Sequence, residues 1–141
     1  MRRSKTLIAL FAVIALIAAA CGDDDTGGSD GPLVCEVTDV GGVDDKGFNA
    51  SAWVGAQRAA AEFGGEAKVL ESQAETDYEV NINSFVDEGC DIIVTVGFLL
   101  GDATEAAANA NPDSKFTIVD FGYAEPPANL KGLSFATDEA A

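Results

Sequence analysis

From Leu33 onward, short apolar runs alternate with longer stretches whose apolar residues recur at helical spacing. Five runs have the length and character of β-strands: residues 33–38, 67–72, 91–96, 115–121 and 130–136. Three stretches have the spacing of amphipathic helices: residues 49–63, 77–89 and 102–111. Gly64-Gly65 and Pro112 stand where the first and third of these helices should stop. The pattern therefore predicts strands and helices in alternation.

This order predicts an α/β fold, with a parallel, doubly wound sheet, helices on both faces and right-handed crossovers. The third strand, DIIVTV, is almost continuously apolar, which is typical of a buried parallel strand. Ligands of such sheets lie beyond the carboxyl ends of the strands. Three predicted loops with polar residues leave those ends, at 39–49, 97–102 and 120–123. We expect the functional site at this edge.

Residues 1–20 have the features of a signal peptide: a basic start, MRRSK, then the apolar run TLIALFAVIALIAA. AAAC followed by GDDD resembles a bacterial lipobox, which implies cleavage before Cys21 and a diacylglycerol thioether on its sulfur. A single anchoring helix is the alternative, although the run is shorter than the roughly 20 apolar residues that span a bilayer. Residues 21–32 are rich in Gly, Asp, Ser and Thr and predict a flexible tether to a domain at 33–141, outside the cytoplasm.

The charge of the chain narrows the choice of partner. Lys and Arg number 8 against 24 Asp and Glu, so the formal net charge is −16, and histidine is absent. Such an excess of dispersed negative charge argues against nucleic acid as a partner. The lack of histidine removes the commonest general base and a common metal ligand. The sequence therefore predicts no enzyme, no metal centre and no cofactor.

The loop TDVGGVDDKGFN, residues 38–49, joins the first strand to the first helix. Gly42 and Gly47 have the glycine spacing of a P-loop, but Phe48 stands where that motif needs lysine. The dinucleotide fingerprint and the EF-hand spacing do not fit either. A neutral polar ligand remains. Carboxylates accept hydrogen bonds from hydroxyl and N–H groups, an aromatic ring stacks on a flat heterocycle, and an amide both donates and accepts.

Three segments carry a family resemblance: TDVGGVDDKGFNASAW, DEGCDIIVTVGFLLGDAT, and the spacing of FTIVD and GLSF. They resemble the basic membrane lipoprotein family, substrate-binding lipoproteins of ABC importers, many of which bind purine nucleosides. The resemblance covers residues 33–141 and implies a lobe like that of type I periplasmic binding proteins. It implies that Asp39 and Asn49 bind the base and that Phe48 stacks on it. It also implies that Asp102 holds the ribose, and that an ABC permease is the partner.

Each of these residues also has a purely structural interpretation. Asp39 ends a strand, where its side chain can bond turn amides. Phe48 can pack against the first helix as a hydrophobic staple. Asn49 and Asp102 stand where helix N-caps are expected. Glu36 interrupts the apolar first strand, and the sequence suggests no function for it.

Cys35 and Cys90 lie near the starts of two strands that should be neighbours. In an oxidising, exported setting they can form a disulfide, provided that their Cα atoms lie within about 7 Å. Two small buried apolar side chains are the alternative.

Two functional classes remain open beside a weak enzymatic one. The leading hypothesis is an extracytoplasmic, lipid-anchored, solute-binding protein of an ABC importer. The alternative is a lipid-anchored ligand sensor that a membrane signalling partner recognises. The family has two lobes that close on the ligand. Since ATDEAA, residues 136–141, reads as the start of a further helix, we expect this chain to hold the first lobe only.

Overall fold

The computed structural model describes residues 31–136, which form a five-stranded parallel sheet with three α-helices. The strands are β1 (Leu33–Thr38), β2 (Glu66–Glu71), β3 (Ile92–Val96), β4 (Phe116–Val119) and β5 (Leu130–Leu133). The helices are α1 (Phe48–Glu62), α2 (Tyr78–Glu88) and α3 (Gly101–Ala110), with 3-10 turns at Glu75–Asp77 and Phe98–Leu100. Among these described helices, none is long and apolar enough to cross a membrane.

The predicted signal peptide, Cys21 and most of the predicted tether lie outside the described residues, as does most of ATDEAA.

The sheet has the strand order β2-β1-β3-β4-β5, and all four pairings are parallel. The chain leaves β1 toward β2 and then returns past β1 to β3. The direction of winding therefore reverses between β1 and β3. Such a switch point opens a crevice beyond the carboxyl ends of the two strands, where ligands of doubly wound sheets bind. In this chain the loops that begin at Asp39 and at Gly97 border the crevice.

Helices cover both faces of the sheet, as the sequence predicts. On one face, Val34 packs with Ala56 and Ala60 of α1, and Trp53 lies against the same cluster. On the other face, Cys35 and Val37 join a larger core with residues of α2 and α3. Because successive side chains of a strand point to opposite faces, β1 contributes alternately to the two clusters.

The end of the described chain differs from the prediction. The fourth strand is Phe116–Val119 rather than 115–121, and the fifth is Leu130–Leu133 rather than 130–136. Asp120 adopts a left-handed φ of 66°, which ends β4, and its N–H gives the last bond to β5 at Leu133. Beyond that point β5 has no strand to pair with. The link between these parallel strands contains no helix, in agreement with the Pro-containing connector read from the sequence.

Cys35 and Cys90 are joined by a disulfide, with a Cα–Cα distance of 6.0 Å. Asp91 sets the register beside it, because its N–H donates to the Leu33 carbonyl and its carboxylate accepts from the Leu33 N–H. This exchange brings the residue before β3 next to β1. Both cysteines lie in the larger core, so the bridge ties β1 to the end of α2.

The disulfide can be tested by counting the free thiols of Cys35 and Cys90. In the unfolded, unreduced chain, Cys35 and Cys90 should give no reaction with a thiol reagent, and mass spectrometry should find their peptides linked. The bridge encloses 55 residues, so replacing both cysteines with serine should lower the free energy of unfolding by about 4 kcal/mol. Two reactive thiols at these positions before reduction would exclude the bridge.

Candidate functional site

The loop after β1 is held at the carboxyl edge of the sheet by backbone geometry and one carboxylate. Gly42 has a left-handed φ of 64°, and a Cβ there would lie 2.3 Å from Glu71 Oε2. The same oxygen accepts a hydrogen bond from the Val43 N–H at 3.1 Å. Only glycine fits this position, since any side chain would displace the carboxylate at the end of β2 that anchors the loop.

Asp39 has a fixed carboxylate with one oxygen engaged and one available. Its Oδ1 accepts from the Gly41 N–H at 2.9 Å and from Asn49 Nδ2 at 2.8 Å. No hydrogen bond from residues 31–136 engages Oδ2, which lies against Gly97. A Cβ at Gly97, where φ is 101°, would lie 2.8 Å from that oxygen. The glycine therefore leaves space beside the carboxylate at the switch point.

Asn49 is the second residue of α1 and is only 2% exposed. The Asn49 Nδ2 donates to Asp39. The other amide atom of Asn49, Oδ1, is buried and has no hydrogen-bond partner in the described chain. An N-cap role for Asn49 is wrong, because the residue lies inside the helix. Its side chain instead links the first turn of α1 to the end of β1.

Asp45 caps α1 in place of Asn49. Its carboxylate accepts from the N–H groups of Gly47 at 2.7 Å, Asn49 at 3.1 Å and Ala50 at 3.0 Å. These donors, that of Ala50 above all, hold the pKa of Asp45 below its ordinary value. Asp45 lies three residues before the first helical residue, whereas a side-chain cap is normally expected at the residue directly before the helix.

Phe48 opens α1 with 47% of its surface exposed, and it contacts another aromatic ring. The ring of Phe135 lies with its centroid 5.1 Å away and its plane tilted by 34°. Sequence reasoning missed Phe135 because it assigned residues 130–136 to a strand. Val40, Phe98 and Leu99, which lie on loops at the same edge, are also exposed. The edge therefore combines carboxylates with apolar surface.

Asp102 is exposed in the first turn of α3, and no side-chain cap bond is present at that helix start. The N-cap interpretation of Asp102 is therefore wrong as well. Nearby, Tyr123 donates to the Gly101 carbonyl at 2.7 Å. Burial raises the pKa of Tyr123 to about 12, and the charges of Glu105 and Asp102 add to the effect. Asp102 lies in the first turn of the helix that follows β3, at the same edge of the sheet as Asp39.

Two buried polar side chains near this edge were not predicted to matter. Glu36 is completely buried in β1, and neither of its carboxylate oxygens has a partner within residues 31–136. Burial and then the charge of Asp45 raise the pKa of Glu36 to about 8. Tyr78 is buried at the start of α2; burial and then the charge of Asp39 raise the pKa of its hydroxyl. From the sequence, Glu36 could be recognised only as a charged residue that interrupts an apolar strand, and its burial could not be predicted.

In the structure, Asn49 donates a hydrogen bond to Asp39, and Phe48 directly precedes Asn49 in the sequence. Asp102 shares their edge of the sheet, in the first turn of α3. In the described part of the chain, no group of three or more Cys, Asp or Glu residues could hold a metal ion. The site offers hydrogen-bond acceptors and an aromatic surface.

Residues 33–141 match a family model described as Bmp, "ABC transporter substrate-binding protein PnrA-like". The chain belongs to this family. It is 37% identical to the "ABC transporter nucleoside-binding protein BmpA" of Lactococcus lactis subsp. cremoris, over 97% of this chain and 42% of the relative. It is 33% identical to "Basic membrane protein A" of Borreliella burgdorferi, over 96% of this chain and 40% of the relative. The chain thus spans about two fifths of the length of these relatives.

A solved structure supports the same assignment of the fold. An ABC transporter system solute-binding protein of Aeropyrum pernix K1 superposes with a TM-score of 0.67 at 32% identity. The match covers 74% of this chain and 28% of that one. The family and the α/β fold expected from the sequence are both confirmed.

The three amide bonds to Asp45 predict a measurable cap. Asp45→Ala should lower the free energy of unfolding by about 0.5–2 kcal/mol in urea titrations. Asp44→Ala, at the exposed neighbouring carboxylate, is the matched control and should leave it unchanged. Because the folded-state pKa of Asp45 is lowered, its contribution is present above the unfolded value of about 3.9 and is lost as the pH falls below it. Equal losses in both variants would argue against the cap.

Glu36 should make the folding stability depend on pH in the opposite direction to Asp45. Its folded-state pKa of about 8 lies above the unfolded value of about 4.3, so between these values the folded chain retains a proton that the unfolded chain loses. Stability should therefore fall as the pH rises through that window. Glu36→Gln should flatten this decline in urea titrations from pH 5 to 8.5, whereas Glu62→Gln at the exposed end of α1 should not. A Glu36→Gln profile parallel to the wild type would contradict the assignment.

Proposed function

We propose that the chain is the ligand-binding first lobe of a non-catalytic substrate-binding protein that delivers a purine nucleoside to an ABC permease. The observation that carries the proposal is the Asp39 carboxylate, which is held by Gly41 and Asn49 through one oxygen and leaves the other free at the switch point. A carboxylate fixed in this way is a preorganised acceptor for a hydroxyl or N–H donor.

The surroundings of Asp39 suit a nucleoside. Phe48 offers an exposed ring on which a base can stack, and Asn49 orients the Asp39 carboxylate that can accept from it. Asp102, in the first turn of α3, supplies an exposed carboxylate for ribose hydroxyls. The density of carboxylates at this edge disfavours phosphorylated ligands, because like charges repel. The Lactococcus lactis relative, an ABC transporter nucleoside-binding protein, also supports a nucleoside ligand.

The proposed domain arrangement rests on the sequence pattern of residues 1–32 and on the family. We infer a lipoprotein signal peptide at 1–20, a lipid on Cys21, a flexible tether at 21–32 and the lobe at 33–141, on the outer face of the cell membrane. Exposed Val40, Phe98 and Leu99 give the edge an apolar surface that a second lobe can cover. One lobe by itself buries only part of a ligand, so tight binding requires that second wall.

A calorimetric screen of purine nucleosides against free sugars tests the proposal. It should be run on the chain and on a chimera that adds the second lobe of the Lactococcus lactis relative. We expect nucleosides to bind without being converted to product, and more tightly to the chimera. Binding of sugars but not of nucleosides to both proteins would overturn the proposal.

Variants locate the site. Asp39→Asn and Phe48→Ala should each weaken nucleoside binding about tenfold or more, because they remove a charged acceptor and a stacking surface. Asp113→Asn and Phe63→Ala are matched controls, since both residues are exposed and follow the carboxyl ends of α3 and α1. Losses in the controls that equal those at the site would place binding elsewhere.

A further inference from the structure

Four buried side-chain atoms have no hydrogen-bond partner within residues 31–136, and three of them lie between β1 and α1. The three are both carboxylate oxygens of Glu36 and Oδ1 of Asn49. Burial of polar groups without partners is unfavourable, so these atoms need a physical explanation. One of the two residues belongs to the Asp39 site, because Asn49 holds the Asp39 carboxylate.

Glu36 and Asn49 belong to adjacent layers, the sheet and the helix α1 that covers it. Val34 packs on Ala56 and Ala60 of α1, and Glu36, two residues further along β1, points to the same face. Asn49 is buried at the start of α1, above the carboxyl end of β1. At about 3.3 Å per residue, Glu36 lies about 7 Å before the end of the strand. The charge of Asp45, which accepts from the Asn49 N–H, acts on Glu36, so Glu36 lies near that helix start.

Protonation decides whether these atoms can bond. An ionised carboxylate and an amide oxygen are both acceptors, so they cannot bond to each other. A neutral carboxyl group carries one O–H donor, which Asn49 Oδ1 can accept. Burial between Val69 and Val94 favours the neutral form of Glu36.

We propose that Glu36, in its protonated form, is a positioning residue of the ligand site. Its O–H donates to Asn49 Oδ1, directly or through one buried water. The bond holds the Asn49 amide with Nδ2 turned toward Asp39, and so keeps Asp39 Oδ2 free for ligand. The inference rests on the proposed function only for the identity of that ligand.

The titratable groups around Glu36 set its response to pH. The loop contributes Asp45, whose charge acts on Glu36, and β2 contributes Glu71 on the same face of the sheet. The neighbouring positions of β3 on that face are apolar, and the buried face of α1 carries no charge. Within residues 31–136, Asp45 is the charge that acts on Glu36, and it favours the neutral form.

Nuclear magnetic resonance on the ligand-free full chain tests the bond without any ligand. The Glu36 carboxyl carbon and the Asn49 side-chain amide should titrate together near pH 8. The Asn129 amide, which donates to the carbonyls of Ala108, Asn111 and Ser114, is the control and should stay constant. In Asp45→Asn, the common midpoint should move to lower pH. An Asn49 amide that ignores the Glu36 titration would overturn the proposal.

Two variants separate positioning from packing. Glu36→Gln keeps a donor that does not titrate, so nucleoside affinity should match the wild type at pH 6.5 and persist at pH 9.5. Glu36→Met keeps the length but lacks a donor, so it should bind about three- to tenfold more weakly at both pH values. The wild type should weaken by the same factor between pH 6.5 and 9.5.

The outcomes distinguish the two proposals. If the Asn49 amide follows Glu36 but adenosine and guanosine do not bind, only the proposed function fails. If both nucleosides bind with the same affinity to wild type, Glu36→Gln and Glu36→Met at each pH, the positioning role fails and the proposed function stands. The wild-type titration needs no variant, so a variant that does not fold leaves the test intact.

Discussion

The hydrogen bond from Asn49 to Asp39 is the contact on which the site depends. It joins the first turn of α1 to the carboxyl end of β1, so the helix start and the strand end cannot move independently. Asp45 fixes the helix start through three amides, and Glu71 fixes the loop between them. A carboxylate held by such local bonds meets a ligand without first having to be ordered, which lowers the entropic cost of binding.

Much of the fold was predictable because β1 to β4 and the three helices have clear periodicity. The run DIIVTV indicated a buried parallel strand, and β3 indeed lies between β1 and β4. The edge that carries the site followed from the rule that ligands of such sheets bind beyond the carboxyl ends of the strands. The family resemblance added predicted ligand contacts for Asp39, Phe48, Asn49 and Asp102. These roles stay predictions, and all four residues lie at that edge.

What the sequence could not predict depended on contacts between distant or irregular segments. Asp45 caps α1 from a loop position that no capping pattern marks. Phe135 meets Phe48 only because β5 stops at Leu133, and that end follows from the left-handed Asp120 on the neighbouring strand. The environment of Glu36 depends on Val69 and Val94, which are far away in the chain. Local sequence patterns do not predict these contacts between residues that are distant in the chain.

The position of β1 between β2 and β3 has a consequence for the unfolded chain. Leu33 pairs with Glu66, and Val34 pairs with Ile92, so the backbone of β1 stays unpaired until residues far downstream have folded. An exposed apolar strand in that condition is prone to aggregate. In the unfolded chain Glu36 is ionised at neutral pH, since an unperturbed glutamate has a pKa of about 4.3. The same side chain that becomes a neutral donor once buried thus acts beforehand as a gatekeeper charge within LVCEVT.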